Sequence, residues 1–256
     1  MLFKKHVLAT LVCAAFLAPA LEAQKVFVLP GSGGQTLTVL GESSIAAPVS
    51  LSVPNSAFLA LARPDGNRYY VLSRSDAETL LILDQAMNVL RRISLGDAVQ
   101  AAEITPDGRL LVVLTSVLRI FDLSTDSEIV ASTPVDVGVN PVGFAVSQDS
   151  RRVFVLSPSA QRVIGVDITS PIEPRIVGAA LLPGGEYSGI SVGPNGLVYA
   201  SITNQIVVVD PETVTTIEPA IGVNGVPGPL RFTPDGIRGV AVNRLIITGA
   251  SAFVVD

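Results

Sequence analysis

The chain has 256 residues, with 17 Lys and Arg against 22 Asp and Glu, which gives a formal net charge of −5 at pH 7. No basic cluster is larger than the pairs Arg91-Arg92 and Arg151-Arg152. Nucleic acids and anionic membrane surfaces both attract clustered positive charge, so this composition argues against either as a partner.

The N-terminus has the pattern of a secretory signal peptide. Lys4 and Lys5 precede an apolar run over residues 7–21, which ends in small residues. We place the signal at residues 1–23, with cleavage after Ala23 and a competing site after Ala20. An uncleaved membrane anchor and a lipoprotein signal are the alternatives. After cleavage we expect no membrane insertion and a location in the periplasm, at the cell surface or outside the cell.

Removal of residues 1–23 takes away the single histidine, His6, and the single cysteine, Cys13. The remaining 233 residues therefore cannot form a disulfide, a Ser-His-Asp triad, a histidine zinc site or a histidine-ligated haem. The same cleavage removes Lys4, Lys5 and Glu22, which leaves 15 basic and 21 acidic residues.

After the signal, a turn sequence recurs at intervals of about 40 residues. Pro64-Asp65-Gly66 returns as Pro106-Asp107-Gly108, Gln148-Asp149-Ser150, Pro194-Asn195-Gly196 and Pro234-Asp235-Gly236. Each turn joins two short apolar runs, so each unit reads as a β-hairpin.

A second marker keeps step with the turns: an apolar run that ends in aspartate, at Asp84, Asp122, Asp167, Asp210 and Asp256. A further short strand usually follows. The repeating unit is thus four antiparallel strands, and such a unit buries both apolar faces only by stacking against its neighbours. The sequence predicts an all-β fold, a β-propeller of four-stranded blades over residues 24–256.

One unit carries a family resemblance. Val137-Gly138-Val139-Asn140-Pro141, the turn at Asp149, the strand 152–156 and the strand ending at Asp167 resemble the YVTN-type bacterial propeller repeat. The resemblance implies a propeller and says little about activity, since this architecture hosts many functions. The family's asparagine after the second strand is replaced by serine at Ser73 and Ser157, and the absence of tryptophan disfavours the WD-repeat class.

The repeat count gives about six blades. The first lacks an inner strand and the last lacks an outer strand, so we expect a chain truncated at its C-terminus, with a seventh blade or another domain missing. A complete six-bladed ring is the alternative.

The strand-end aspartates are the main carboxylate candidates. Their place in the repeat predicts a structural role, in which each accepts hydrogen bonds from backbone N–H groups of the following turn. The glycine-rich segments 31–34 and 183–185 lack phosphate-binding spacing and are expected to be loops. The sequence therefore predicts no catalytic residue, no metal site and no cofactor.

Ligand contacts are expected in the loops between the second and third strands of each blade. The candidates there are Arg74, Asp76, Arg162, Asn204 and Arg244. We expect a monomeric, non-enzymatic module that binds a protein or polysaccharide. The alternative is a lactonase-like or other hydrolytic propeller, which would need a cluster of carboxylates and arginines near the channel.

Overall fold

The computed structural model describes residues 26–29, 36–40, 49–52, 57–74, 80–233, 235–243 and 252–255. Every regular element in these ranges is a β-strand, and the strands form six antiparallel sheets, numbered here in chain order. Sheets 2 to 5 have four strands each, and three strands are described in sheets 1 and 6. The predicted all-β propeller fold is confirmed, whereas the predicted signal lies outside the described residues. No helix that could cross a membrane is found in the described ranges.

The chain divides into two compact units, residues 1–99 and residues 100–256. The first unit contains sheets 1 and 2. Sheet 1 consists of β1 (Val26–Val28), β2 (Thr36–Leu40) and β3 (Val49–Ser52). Sheet 2 consists of β4 (Ala57–Ala62), β5 (Arg68–Ser73), β6 (Leu80–Asp84) and β7 (Val89–Ile93). The side chains of Phe27, Leu37, Tyr69 and Leu81 belong to one apolar cluster that joins the two sheets.

The second unit contains sheets 3 to 6. Sheet 3 has β8 (Ala101–Ile104), β9 (Leu110–Leu114), β10 (Leu118–Asp122) and β11 (Ser127–Ile129). Sheet 4 has β12 (Gly143–Val146), β13 (Arg152–Ser157), β14 (Arg162–Asp167) and β15 (Arg175–Leu181). Sheet 5 has β16 (Tyr187–Val192), β17 (Val198–Ile202), β18 (Gln205–Asp210) and β19 (Thr215–Gly222). Sheet 6 has β20 (Arg231–Phe232), β21 (Gly239–Val242) and β22 (Ala252–Val255).

Within the second unit, each sheet packs against the next one along the chain. β12 lies against β8 on one side and β16 on the other, and β15 lies against β19. The second and third strands are almost wholly buried, as in the run Val153–Leu156. Strands covered on both faces are expected to be continuously apolar, which explains why the sequence shows apolar runs rather than alternation.

The recurring turns join the first and second strands of sheets 2 to 6, as predicted. Gly66, Gly108, Gly196 and Gly236 have φ between 70° and 81° at the third turn position. The preceding Asp or Asn accepts a hydrogen bond from the backbone N–H two residues later, for example Arg109 N–H to Asp107 Oδ1 at 3.0 Å. We call the end of a sheet that carries this turn its turn end, and the opposite end its loop end.

The turn of sheet 4 departs from the pattern, because Gln148 replaces proline and Ser150 replaces glycine. Ser150 has φ 63°, a left-handed conformation that is costly for a residue other than glycine. Its Oγ accepts a hydrogen bond of 3.0 Å from the backbone N–H of Asp107 in the turn of sheet 3. Gln148 Nε2 donates to the carbonyl of Gly193 beside the turn of sheet 5, at 2.7 Å. The two substitutions therefore link three consecutive blades.

We predict that Gln148→Ala and Ser150→Ala each lower the free energy of unfolding by about 1 kcal/mol, because each removes one inter-blade hydrogen bond. The two bonds lie on opposite sides of the turn and share no partner, so the double variant should lose about 2 kcal/mol. Urea denaturation checks this, with Gln100→Ala as a polar surface control of unchanged stability. Single variants that match the control would contradict the assignment.

Candidate functional site

The strand-end aspartates have the role that the repeat predicts. Each described member accepts a hydrogen bond from a backbone N–H of the turn that follows it. The donors are Asn88 to Asp84 at 2.8 Å, Ser124 to Asp122 at 2.7 Å, Thr169 to Asp167 at 2.8 Å, and Glu212 and Thr213 to Asp210 at 2.8 and 2.9 Å. The fifth aspartate, Asp256, lies outside the described residues.

These hydrogen bonds favour the charged form of each carboxyl group. Side-chain hydrogen bonds from Asn88, Ser124 and Thr169 are the main reason that the pKa values of their acceptors, Asp84, Asp122 and Asp167, are lowered. The backbone N–H of Thr213 is the main cause of the lowered pKa of Asp210. Carboxylates that are held in the charged form by these hydrogen bonds stabilise the turns. They are poor proton donors near neutral pH.

One carboxyl group behaves differently. Glu103 lies on β8, the first strand of sheet 3, and is partly buried. It accepts a hydrogen bond from the backbone N–H of Val146 on β12, the first strand of sheet 4. Arg231, on the first strand of sheet 6, interacts with it electrostatically. Glu103 and Arg231 therefore interact electrostatically although they come from the first strands of two different sheets of the second unit.

Burial raises the pKa of Glu103 from 4.5 to about 7, and it outweighs the opposing effects of the Val146 N–H and the Arg231 charge. The side chain keeps some exposure to solvent, but most of its surroundings are protein, so the charged form is poorly hydrated. A carboxyl group with a pKa near 7 can both release and take up a proton at neutral pH.

The sequence interpretation did not single out Glu103 or Arg231, although the repeat contains a signal for both. Each stands four residues before a turn aspartate, Asp107 or Asp235, where the other described units have Leu61, Ala145 and Ser191. Ser191 also reaches the following blade, where its Oγ donates to the Leu230 carbonyl at 2.8 Å. This repeat position therefore faces the next blade, and charge there is an exception that alignment of the units would have shown.

The structure describes three of the five predicted loop residues. Arg74 is exposed, and its guanidinium carbon lies 4.5 Å from the ring centroid of Phe58. Arg162 is exposed at the loop end of sheet 4. Asn204 is the second residue of the two-residue connection between β17 and β18 and has φ 63°. Its Oδ1 accepts a hydrogen bond from the Gly225 N–H at 3.0 Å. Asn204 thus has a structural use. Asp76 and Arg244 lie outside the described residues.

A polar groove lies at the turn end of sheet 2. It is lined by Arg63, Asp65, Asn67, Arg68, Asp84, Gln85 and Ala86. Arg63 Nε and Asp65 Oδ2 are 3.2 Å apart in an ion pair. Asp84 is the ladder partner of Arg68 and accepts a hydrogen bond from the backbone N–H of Asn88 in the following turn. The carboxylate of Asp84 in this groove therefore already stabilises the blade. Across the described part of the chain, no three His, Cys, Asp or Glu side chains are grouped so that they could hold a metal ion.

Comparisons with known proteins give a fold and no family. No model of a known protein family matches the sequence, and no curated protein sequence does either. A functionally unknown protein from Desulfotomaculum acetoxidans is similar in structure, with a TM-score of 0.69 and 17% identity over 87% of this chain and 76% of that one.

Two further structures support the same architecture. The β-propeller domain of Cps50 (Swd1) from Myceliophteria thermophila has a TM-score of 0.58 and 16% identity, with 74% of this chain and 63% of that chain covered. The dihydro-heme d1 dehydrogenase NirN, in complex with DHE, has a TM-score of 0.59 and 18% identity over 80% of this chain and 44% of that one. At these identities the likeness establishes the propeller fold alone.

Proposed function

We propose that the chain is an exported propeller that binds a protein or polysaccharide at the cell surface or in the periplasm, without catalysing a reaction. The observation that carries the proposal is the use of the repeated carboxylates. Asp84, Asp122, Asp167 and Asp210 each accept backbone N–H groups of their own turns. The repeated strand-end aspartates thus stabilise the turns of the fold. This structural role favours a protein whose blades act as a scaffold and whose loops contact the ligand.

Within the described structure, we assign the ligand contact to the loop end of sheet 4. Arg162 is exposed there at the start of β14, beside the connection of residues 158–161. A guanidinium group offers five donors in a fixed plane, which suits carboxylates and the oxygens of polysaccharides. Arg151 is an equally charged, exposed residue at the opposite end of the same sheet.

The test is saturable binding of the purified protein to the envelope fraction of the producing cells. We expect Arg162→Ala to weaken binding about tenfold, which is the size expected for loss of one charge-assisted hydrogen bond. Arg151→Ala is the matched control and should bind as the unmodified protein does. Equal binding by both variants would contradict the assigned surface, and absence of saturable binding would contradict the binding function.

Export makes a separate prediction. The mature protein should begin at Gln24, because Ala23 supplies the small residue that signal peptidases require immediately before the cleaved bond. Mass spectrometry of the exported protein measures this directly. A start at Leu21 would favour cleavage after Ala20, and a protein that retains residues 1–23 would contradict export by this route.

A second candidate function rests on Glu103. A carboxyl group of pKa about 7 beside Arg231 has the properties of a general acid or base with a neighbouring cation to stabilise developing negative charge. A hydrolytic propeller would then show turnover that changes with pH near 7 and disappears in Glu103→Gln. Lactone and ester hydrolysis measured from pH 5 to pH 9 decides it, and turnover that persists in this variant would contradict the role.

A further inference from the structure

Asparagine is followed by glycine at two places in the sequence, Asn195-Gly196 and Asn224-Gly225. Asparagine is a thermolabile residue, and a following glycine has no Cβ to hinder attack by its backbone nitrogen on the asparagine side chain. Both asparagines are exposed. We propose that Asn224 is a site of spontaneous deamidation in the folded protein, and that hydrogen bonds protect Asn195 from the same reaction. This inference does not depend on the proposed function.

The reaction joins the asparagine side chain to the next peptide unit. The nitrogen of Gly225 attacks Cγ of Asn224 and forms a new C–N bond. The bond from Cγ to Nδ2 breaks, and Nδ2 leaves as ammonia with the proton that the Gly225 nitrogen has lost. Water then opens the succinimide ring at either carbonyl group, which gives aspartate or isoaspartate. A neutral amide is thus replaced by a carboxylate with its negative charge, and no oxidant or metal is consumed.

Three hydrogen bonds hold Asn195 and its neighbour away from this reaction. Asn195 Oδ1 accepts the backbone N–H of Leu197 at 3.1 Å, and Asn195 Nδ2 donates to Tyr199 Oη at 2.9 Å. The attacking group is also engaged, because the Gly196 N–H donates to the Gly193 carbonyl at 2.9 Å. Attack at Asn195 therefore requires that the hydrogen bonds of the turn of sheet 5 open together.

Asn224 is held much less firmly. Its backbone carbonyl accepts a hydrogen bond from Asn243 Nδ2 at 3.4 Å, whereas within the described part of the chain no hydrogen bond holds its side chain. The attacking Gly225 N–H donates to Asn204 Oδ1 at 3.0 Å. Reaction at Asn224 thus breaks one hydrogen bond where reaction at Asn195 breaks three. A difference of two hydrogen bonds predicts a rate at Asn224 that is at least about tenfold higher.

The modified residue would lie in the connection between β19 and β20, at the loop end of sheet 5. The Gly225 carbonyl accepts the Asn204 N–H at 2.7 Å, and the Val226 N–H donates to Asn243 Oδ1 at 3.2 Å. Isoaspartate carries the backbone through Cγ and lengthens it by one atom, which displaces these groups from their partners. Deamidation therefore changes both the charge and the backbone path of this connection.

Incubation of the purified, folded protein at mildly alkaline pH tests the proposal. A protease that cleaves after glutamate separates the two sites at Glu212, and mass spectrometry with fragmentation then measures each rate. We expect deamidation at Asn224 to be at least about tenfold faster than at Asn195. In denaturant the two rates should agree within about twofold, because the hydrogen bonds that distinguish them are lost. Equal rates in the folded protein, or an Asn224 that reacts only in denaturant, would overturn the proposal.

Variants of Asn204 test the hydrogen bond that restrains the attacking nitrogen. Asn204→Gly removes the acceptor and suits the φ of 63° at this position, so it should raise the rate at Asn224 about fivefold and leave Asn195 unchanged. Asn204→Asp keeps an acceptor oxygen and should not raise the rate. Equal rates at Asn224 in the two variants, or a parallel rise at Asn195 that marks a general loosening of the fold, would overturn the role of this bond. Circular dichroism of each variant checks that it is folded.

Discussion

Replacement of Gly178 by alanine is expected to lower the free energy of unfolding by about 3 kcal/mol, because it overfills a closely packed blade contact. Gly165 on β14 and Gly178 on β15 are ladder partners, and together they leave a gap in sheet 4. Val214, from the connection between β18 and β19, fills this gap and is 1% exposed. A Cβ atom on Gly178 would lie 2.8 Å from Val214 Cβ, and one on Gly165 would lie 2.7 Å from Val214 Cγ2.

Val214 cannot move aside cheaply. It has φ 49°, a left-handed conformation in which a β-branched residue is a strong outlier, so the surrounding structure must hold it there. Its backbone N–H bonds to the Asp210 carbonyl at 3.0 Å, which fixes the connection from the other side. The added methyl group therefore meets an atom next to a constrained backbone, rather than the end of a flexible side chain.

Thermal and urea unfolding measure this effect, and a fall of about 3 kcal/mol corresponds to roughly 6–12 °C in Tm for a chain of this size. Gly143→Ala is the control, because no atom lies within 4 Å of a Cβ at that strand position. Val214→Gly removes the obstructing side chain, so the double variant Gly178→Ala/Val214→Gly should be more stable than additivity predicts. Strict additivity of the two variants would contradict the contact.

The stability of the protein should fall as the pH rises from about 4.5 to about 7. The pKa of Glu103 is about 7 in the folded chain and 4.5 without burial, so within this window the folded state binds a proton that the unfolded state releases. Stability decreases with pH wherever the folded state binds more protons. The loss is complete above pH 7 and amounts to about 2 kcal/mol, after allowance for the partial exposure of the side chain.

Glu103→Gln separates the charge from the hydrogen bond. The amide oxygen still accepts the Val146 N–H but does not ionise, so the variant should match the unmodified protein near pH 5 and exceed its stability by about 2 kcal/mol at pH 8. Urea denaturation at both pH values measures the difference, and Glu173→Gln at an exposed position is the control. If the pH curves of the protein and Glu103→Gln were parallel, the raised pKa of Glu103 would be excluded.

The strand-end aspartates change the stability in the opposite direction. Their pKa values are lowered by hydrogen bonds in the folded chain, so they contribute stability above their ordinary pKa of 3.8 that is lost as the pH falls. The two effects together place the greatest stability near pH 5, where the aspartates are ionised and Glu103 is protonated. Alkaline loss of stability is thus assigned to Glu103, and acid loss to the strand ends.

Features set by neighbours in sequence could be predicted. The turn at Asp107 needs only its own proline, aspartate and glycine, and Asp122 binds an N–H two residues away. Features made by two blades could not be predicted in the same way. Nothing local indicates that Val214 adopts a left-handed φ, because the glycines that accept its side chain are 49 and 36 residues earlier in the chain. The raised pKa of Glu103 likewise depends on burial against sheet 4.

Thermal unfolding of the unmodified protein and of Asp167→Ala, each with calcium and with a chelator, tests most directly whether the repeated carboxylates serve the fold. We expect Asp167→Ala to lower the stability by about 1 kcal/mol, because the Thr169 N–H loses its acceptor. Calcium should shift neither protein, since a ligand raises Tm only if it binds the folded state. A Tm raised by calcium in the unmodified protein and unchanged by calcium in Asp167→Ala would contradict this account and assign the strand ends to a metal site.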